Sequence, residues 1–439
     1  MVLPDYVKKC IDALECAGFR AYAVGGCVRD SLLDQTPQDY DLCTNALPDQ
    51  TEGVFSQYRL VLAGKKHGTV GVITEGGVVE ITTYRTEGGY RDNRHPDWVE
   101  FVPNIEADLA RRDFTVNAMA WSPYHGFADP FGGQPDLEHQ ILRAVGNPET
   151  RFREDSLRIL RGIRFAVKYQ LTPEAATMGA MNTLAPLMEN LARERVFDEL
   201  CKFLLLTTAQ DLTRFGTIVA SVIPELGPMI GFDQHSPHHA YDVFTHTAHV
   251  VENVPADLPL RWAALLHDTG KIPTFTRDEN GRGHFYGHAP ESARIADEIL
   301  RRLKAPTKLR EEVVFLVDKH MTKIEPTKKN VRRWLSRLGE DAVLSLLTFQ
   351  EADMSSKGTG KPQEISQFSQ IRQLIAEIRE ENACLSIKDL AVNGHDLMDL
   401  GIQGRAIGDT LSRLLGLVLD EQIENTKEVL LNAVRQERL

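Results

Sequence analysis

At 439 residues the chain is too long for a single hydrophobic core and is expected to form two or more domains. Its 42% hydrophobic and 26% charged residues are ordinary for a soluble protein, and no apolar run approaches membrane-spanning length. The net charge of −12 argues against a uniformly basic nucleic-acid-coating protein. The basic residues are nevertheless concentrated: six against two acidic between Arg151 and Lys168, and twelve against four between Arg301 and Arg337. Such stretches can bind a polyanion, although solvated helix faces look the same in a sequence. The six cysteines (Cys10, Cys16, Cys27, Cys43, Cys201, Cys384) form no C-x-x-C pair, which argues against a disulfide framework or a zinc knuckle. "MVLPDYVKKC" does not resemble a signal peptide, so a cytoplasmic location and no membrane partner are expected.

Residues 4–17 read as an amphipathic helix with Val7, Cys10, Ile11 and Leu14 on one face. Strand-like runs follow: "RAYAV" before Gly25, "YDLCT" after Asp39, then "TVGVIT" (69–74) and "VVEITT" (78–83) joined by the hairpin signal Gly76-Gly77. "WVEFV" and "VNAMAW" are further candidates. After Pro148 helical periodicity dominates. The fold class expected is α+β: a small mixed-sheet head domain over 1–147 and an all-helical remainder. That remainder divides into a neck and body (148–230), a histidine-rich module (231–355) holding nine of the fourteen histidines between His235 and His320, a Gly/Ser/Lys-rich linker "DMSSKGTGKPQ" (353–363), and a tail (364–439).

Chemistry concentrates first in "GGCVRDSLLDQTPQDYDLCT" (25–44). Gly25 and Gly26 allow a tight strand-to-helix turn with free backbone N–H groups, and Arg29 on the first helical turn offers a fork for phosphate. Asp39 and Asp41 stand two apart on an extended segment and project from one face. Their mutual repulsion is relieved by a hard divalent cation. Glu80, on a strand of the following hairpin, could add a third carboxylate. Three carboxylates can hold two metal ions about 3.5–4 Å apart, the arrangement of in-line nucleotidyl transfer.

"GGCVRDSLL…DYDL", "RRDFTVNAMA" (111–120), "DPFGGQPDLEHQILRAVG" (129–146) and "EDSLRILRGIRFA" (154–166) resemble, in order and spacing, the motifs of class II tRNA nucleotidyltransferases. That family comprises the CCA-adding enzymes and bacterial poly(A) polymerases. The resemblance covers about the first 200 residues, and the tail "LAVNGHDLMDLGIQGRAIGDTLSRLLGLVL" is similar to the C-terminal region of such enzymes. It implies nucleotide contacts by Gly26, Arg29, Arg112, Asp155, Arg158, Arg161 and Arg164, support of ribose or base by Asp113 and Asn117, and a brace from Arg195 and Glu199. It further implies Mg²⁺ as cofactor, with tRNA, CTP and ATP as partners.

One of these motifs also has a reading of its own. Asp155, Arg158 and Arg161 at i+3 spacing would lie about a turn apart on one helix. Asp accepts hydrogen bonds and Arg donates them. Cytosine and adenine each present an exocyclic amine donor beside a ring-nitrogen acceptor, so one Asp–Arg pair can match either base. Uracil and guanine would meet it with mismatched polarity, at about 1–3 kcal/mol for each buried group left unpaired.

"FTHTAHV", "ALLHDTGK", "HFYGHAPES" and "VDKHM" together resemble an HD phosphohydrolase domain. By that resemblance His246, His267, Asp268 and Asp353 would ligate a divalent transition metal, and His288 and His320 could support a second. Met321 stands where the commoner pattern has an aspartate. A scaffold that has lost its metal is the alternative. His235, His238, His239 and His249 are left unassigned.

Together these readings point to CCA addition to tRNA. The alternatives are an A-adding enzyme or poly(A) polymerase of the same family, an HD phosphohydrolase acting on RNA ends, and a silent RNA-binding protein. The segment "TEGGYRDNRHPDWVEF" (86–101) matches the flexible loop of full CCA-adding enzymes without apparent deletion, which disfavours CC-only addition.

Overall fold

The computed structural model describes residues 1–88, 98–236, 240–358 and 362–436. Most of the 86–101 loop, His238 and His239, residues 359–361 of the 353–363 linker and the last three residues lie outside the described residues. The chain forms two compact units, Met1–Gly227 with Arg302–Ala305, and Pro228–Arg301 with Pro306–Leu439.

Helix α1 (Asp5–Cys16) buries Val7, Cys10, Ile11 and Leu14, the stripe expected from their spacing. The strands of the first unit are β1 (Ala21–Val24), β2 (Asp41–Thr44), β3 (Arg59–Val61), β4 (Thr69–Thr74), β5 (Gly77–Thr83), β6 (Arg85–Gly88), β7 (Trp98–Phe101), β8 (Ala120–Ser122) and β9 (Gly126–Ala128). Seven of them make a mixed sheet in the order β3-β4-β5-β2-β1-β8-β9, while β6 and β7 pair separately. Only β2 and β5 run parallel within that sheet; its other pairings are antiparallel. The β4–β5 hairpin turns at the expected glycines, with Gly77 at φ +130° and no room for a Cβ on Gly76 against the Tyr6 ring.

Register positions the chemistry. Leu42 and Ile81 are partners across β2 and β5 and are both fully buried, each contributing roughly 1.5–3 kcal/mol by leaving water. Asp41 and Glu80 are the next pair along and point to the opposite, solvent-facing side. A slip of one residue would exchange carboxylates for core side chains, so the hydrophobic set fixes where the acids sit. On the same face as the acids but further along the strands, Tyr22, Val24, Cys43, Tyr84, Ile105 and Leu109 form a buried cluster.

"VNAMAW" is a strand only at its end: Thr115–Asn117 is a short 3₁₀ turn that lifts Asn117 out of the sheet plane, and pairing begins at Ala120. The strands β3, β6 and β9, three or four residues each, were too short to show as periodic runs.

Helices α2 (Gly26–Leu32), α3 (Pro148–Glu154), α4 (Leu157–Lys168) and α5 (Arg193–Leu204) complete the surroundings of the first site. Here the structure corrects the sequence reading. Asp155 is not on one helix with Arg158 and Arg161; it occupies an extended break (φ −141°, ψ 102°) between α3 and α4. Its Oδ1 accepts from the Leu157 N–H at 3.0 Å, because a carboxylate just before a helix satisfies donors that the helix cannot.

The second unit is helical: α6 (Val243–Asn253), α7 (Leu258–Leu266), α8 (His288–Arg302), α9 (Thr307–Lys319), α10 (Lys328–Leu338), α11 (Glu340–Ser355), α12 (Pro362–Glu380), α13 (Arg405–Leu419) and α14 (Lys427–Gln436), with shorter pieces between. Mixed-sheet head and mostly helical remainder agree with the α+β expectation.

Candidate functional site

A cavity of about 370 Å³ in the first unit is lined by Gly25, Gly26, Arg29, Asp41, Arg112, Asp113, Asn117, Asp155, Arg158 and Arg161, all singled out from the sequence. Arg195, expected as a brace, and Arg111 and Phe165, which sequence reasoning missed, also line it. Arg164 does not. It pairs with Glu199 at 2.6 Å and lies 4.3 Å from the Phe165 ring centroid, so it packs the helix rather than the opening. Asp39 and Glu80 also lie outside the lining; both are exposed, and Glu80 meets Asp41 only through the strand register.

Asp41 opens to solvent, yet the protein around its carboxyl raises its pKa by desolvation, followed by the charge of Glu80. Arg112 opposes the shift and Asp39 adds to it. Asp39, Asp41 and Glu80 offer hard oxygen donors of the kind that suits Mg²⁺ rather than a soft metal, but their carboxylates are not gathered within ligating distance of one another.

Arg112 stands against the glycine turn. A Cβ on Gly25 would come within 2.8 Å of Arg112 Nη1, and Gly25 has φ +75°, so no other residue fits there without strain. The Gly25 N–H itself donates to Met119 O at 3.0 Å and holds the turn to the chain entering β8. Arg112 Nε and Arg195 Nη1 are buried donors with no hydrogen-bond partner among the described residues, as expected of side chains arranged for an acceptor-rich ligand.

Arg29 is bound into the protein more completely than a phosphate grip would require. It is 5% exposed, donates from Nε and Nη2 to Asp30 Oδ1 at 2.9 and 2.7 Å, and from Nη1 to Asn117 Oδ1. The Tyr169 hydroxyl takes a further Nη2 bond at 2.5 Å, and the guanidinium carbon sits 4.1 Å from that ring's centroid. Asn117 Nδ2 donates onward to Asp113 Oδ1 at 3.0 Å, and Arg161 donates from Nε and Nη2 to Asp113 Oδ2 at 2.8 and 2.7 Å. Arg29, Asn117, Asp113 and Arg161 thus form one chain from α2 to α4. Burial works to raise the Asp113 pKa, but Arg161 and the Asn117 bond overcome it and hold the carboxyl well below the usual range. Tyr169 and Phe165 were missed because an aromatic at helical spacing ordinarily signals core.

Arg158 is buried and donates from Nη1 to Arg151 O and Glu154 Oε2, and from Nη2 to Arg111 O. Two of its five N–H groups remain beyond those three bonds. Asp155 Oδ2 is met by Arg195 Nη2 at 3.4 Å, a long bond that leaves acceptor capacity on the carboxylate.

In the second unit the histidine cluster assembles from helix ends. His246 lies on α6, His267 and Asp268 directly after α7, His288 opens α8, His320 follows α9, and Asp353 is near the end of α11. All six are buried. His246 Nε2 is 3.0 Å from Asp353 Oδ1 and 3.6 Å from Asp268 Oδ2; His267 Nε2 is 3.1 Å from Asp268 Oδ2. His288 Nε2 lies 3.6 Å from Asp268 Oδ1 and 3.2 Å from His320 Nε2. His246, His267 and Asp268 form one group able to hold an ion, and Asp268, His288 and His320 a second, with Asp268 common to both.

The outward nitrogens explain the arrangement. Nδ1 of His267, His288 and His320 each contacts a carbonyl, of Ala264 (2.8 Å), Phe285 (2.9 Å) and Val317 (2.6 Å), so each proton belongs on Nδ1 and each Nε2 presents a lone pair inward. Two such lone pairs face each other between His288 and His320, and His267 Nε2 is buried and meets, among the described residues, no hydrogen-bond partner beyond the adjacent Asp268 carboxylate. A cation satisfies both features, so the donor set fits metal. Burial pushes the His320 pKa down to about 4 with help from His267, and burial lowers that of His288. Burial would raise the Asp268 and Asp353 carboxyls, but the surrounding imidazoles and lysines hold them well below their usual range. The carboxylates are thus in their ligand form, and burial keeps His288 and His320 toward the neutral form that binds metal; burial also works to lower the His267 pKa, but the charge and hydrogen bond of Asp268 and the charge of Asp353 overcome it and raise it. Lys271, unremarked in the sequence, lies 2.8 Å from Asp268 Oδ2 and donates to Gln234 Oε1 at 2.9 Å. The unassigned His249 packs at a tilt against Tyr241, and His235 is bonded to Arg277, so neither joins the cluster.

The second basic stretch is largely engaged within its own unit. Arg332 pairs with Glu381 at 3.1 Å and with Glu421, Arg333 with Asp420 at 2.7 Å, and Lys329 with Asp420 at 3.4 Å, which ties α10 to the tail. It is less available to a polyanion than its composition implied.

The poly A polymerase head domain family matches residues 21–143, a family described as the probable RNA and SrmB-binding site of polymerase A matches 170–214, and the HD domain family matches 238–356. The CCA-adding enzyme of Streptococcus pyogenes serotype M3 is 47% identical over 208 residues, 47% of this chain and 51% of the relative. The chain thus spans about half the length of the curated relatives it matches. Over the whole fold, the Bacillus stearothermophilus CCA-adding enzyme, solved in complex with CTP, superposes with a TM-score of 0.69 at 26% identity, covering 100% of this chain and 99% of that one. The Thermotoga maritima CCA-adding enzyme complexed with tRNA-CCA shares the fold with a TM-score of 0.62 at 20% identity, covering 99% and 96%. The chain therefore matches the poly A polymerase head domain family over residues 21–143 and the HD domain family over residues 238–356.

Proposed function

We propose that this chain adds the 3′-terminal CCA to tRNA from CTP and ATP without a nucleic-acid template. The observation that carries the reading is the meeting, in one cavity, of a metal-type carboxylate (Asp41), a cationic glycine turn (Gly25, Gly26, Arg112) and a donor–acceptor pair at a helix start (Asp155, Arg158). The similarity of 208 residues to a CCA-adding enzyme and of the whole fold to one solved with CTP supports it. Asp39, Asp41 and Glu80 would hold divalent metal, Mg²⁺ by the chemistry of the donors. When bound it supplies charge neutralisation at the α-phosphate and an acidified 3′-hydroxyl.

The chain's own residues do the rest. Arg112 and the Gly25-Gly26 turn receive the triphosphate, Asp155 accepts from the exocyclic amine of C or A, and Arg158 donates to the neighbouring ring nitrogen. The Arg29–Asn117–Asp113–Arg161 chain holds these groups at fixed spacing, so the base is chosen by protein polarity. The tRNA 3′-hydroxyl attacks the α-phosphorus and pyrophosphate leaves. The tRNA itself would be held by shape and phosphate contacts rather than by sequence.

The testing experiment offers CTP, ATP or both to tRNA transcripts ending at the discriminator base, at C and at CC. Growth of all three to CCA, with C added only before A, is the expected result. Addition of A alone, or of A in long runs, would instead identify an A-adding enzyme or poly(A) polymerase.

A second reading concerns the HD module: metal-dependent phosphoester hydrolysis. The inward-facing Nε2 atoms of His267, His288 and His320 around Asp268 support it.

A further inference from the structure

Two cavities open onto the histidine site and share four of its bordering residues, His320, Met321, Asp353 and Lys357. One, of about 230 Å³, is walled by Lys271, His284, Phe285 and Tyr286. The other, of about 330 Å³, is walled by Ile324, Met354, Phe368 and Ile371. Their surfaces differ. Tyr286 is 79% exposed, and its ring stacks on His284 with centroids 5.3 Å and planes 7° apart, which leaves an aromatic face to the opening. The second wall is aliphatic and aromatic, with Phe368 and Ile371 almost fully buried behind its surface. Lys271, 2.8 Å from Asp268 Oδ2, lines the first cavity, and Lys357, 3.7 Å from Asp353 Oδ2, lines both.

Each feature has a chemical counterpart. Lysine ammonium groups beside a cluster suited to metal fit the charge of a phosphate. The aromatic ledge fits the face of a nucleobase, and the apolar cavity fits a second flat organic group. A phosphate monoester carries one organic substituent and would leave one wall unused. We propose that the HD site takes a phosphodiester with an organic group on either side of phosphorus, such as an internucleotide linkage, one base resting on Tyr286 and the other group entering the Phe368 cavity. This rests on the hydrolase reading of the module. The step balances without a redox partner: a water oxygen bonds to phosphorus, one P–O ester bond breaks, and the departing oxygen takes the proton that water gives up. A monoester and an alcohol are the products.

The test compares the deoxydinucleotide d(ApA), which has no 2′-hydroxyl to cleave itself, with deoxyadenosine 3′-monophosphate, using the full chain loaded with Mn²⁺. Binding of the phosphorothioate form of d(ApA) is measured in parallel by calorimetry. The expected result is a kcat/KM at least about tenfold higher for the diester, together with about tenfold weaker phosphorothioate binding in Tyr286→Ala, the loss of one stacked base. Phe368→Leu, chosen to keep the buried position filled, should weaken binding from the other side and lower diester kcat/KM more than monoester kcat/KM. Equal kcat/KM for the two esters with binding unchanged in both variants overturns the two-sided site and leaves the hydrolase reading standing. Failure of the wild-type protein to cleave either ester or to bind the phosphorothioate overturns both.

Discussion

Asp41 and Glu80 lie in register on the only two parallel neighbours of the head sheet, and the pair beside them, Leu42 and Ile81, is fully buried. The core therefore holds two acids side by side at the surface, where desolvation and their mutual charge raise the pKa of Asp41. Asp39→Ala or Asp41→Ala is expected to lower nucleotide addition by roughly 10²–10³-fold or more, the scale of losing one transition-state stabiliser. Filter binding of tRNA should be retained, because these carboxylates serve metal and not the RNA backbone. Near-normal turnover with Mg²⁺ in either variant would remove the assignment.

Asp113 gives a pH-dependent prediction. Its folded pKa lies below its unfolded value of about 3.9, so its contribution to stability is present above that pH and is lost as pH falls through it toward the folded value. Urea denaturation at pH 7, 5 and 3 should show a smaller stability loss between pH 5 and 3 in Asp113→Asn than in wild type. Arg161→Ala should cost stability at pH 7, toward the low end of the roughly 3–5 kcal/mol for breaking a buried ion pair, because Arg161 is about a third exposed. Parallel pH curves for wild type and Asp113→Asn would show that the carboxylate is not held by charge.

For the second unit, metal analysis is the direct check. His267→Ala and Asp268→Ala should lose bound divalent transition metal and any metal-dependent phosphohydrolase activity, while nucleotide addition stays close to wild type. Metal content unaffected by both substitutions would mean that the helices are scaffold alone.

Much of this was readable from the residues. The apolar stripe of α1, the Gly76-Gly77 hairpin and the change to helix after Pro148 follow from periodicities that tertiary packing reinforces. The cavity-lining residues were legible because glycines, arginines and acids carry their chemistry in their side chains. What could not be read was conformation at a junction: nothing in "EDSLR" distinguishes a continuous helix from one that stops at Glu154 and restarts beyond Asp155. Nor does composition say which cations are already paired. Arg29 and the basic face of α10 look like phosphate ligands in a sequence, whereas Asp30, Asn117 and Tyr169 surround the first and Glu381 and Asp420 engage the second.

The central claim, that the protein itself chooses the base, is tested most directly by kcat/KM for CTP, ATP, UTP and GTP on a CCA-lacking tRNA, in wild type, Asp155→Ala and Arg158→Ala. Both changes leave Asp39, Asp41 and Glu80 in place. Arg158→Ala also removes bonds to Glu154, Arg151 and Arg111, so Asp155→Ala is the cleaner variant. Loss of one base-reading hydrogen bond should reduce discrimination against UTP and GTP on the order of 10- to 100-fold, corresponding to about 1–3 kcal/mol, as overall addition slows. If both variants slow all four nucleotides by the same factor, Asp155 and Arg158 only hold the helix start in place, and selection by the protein is contradicted.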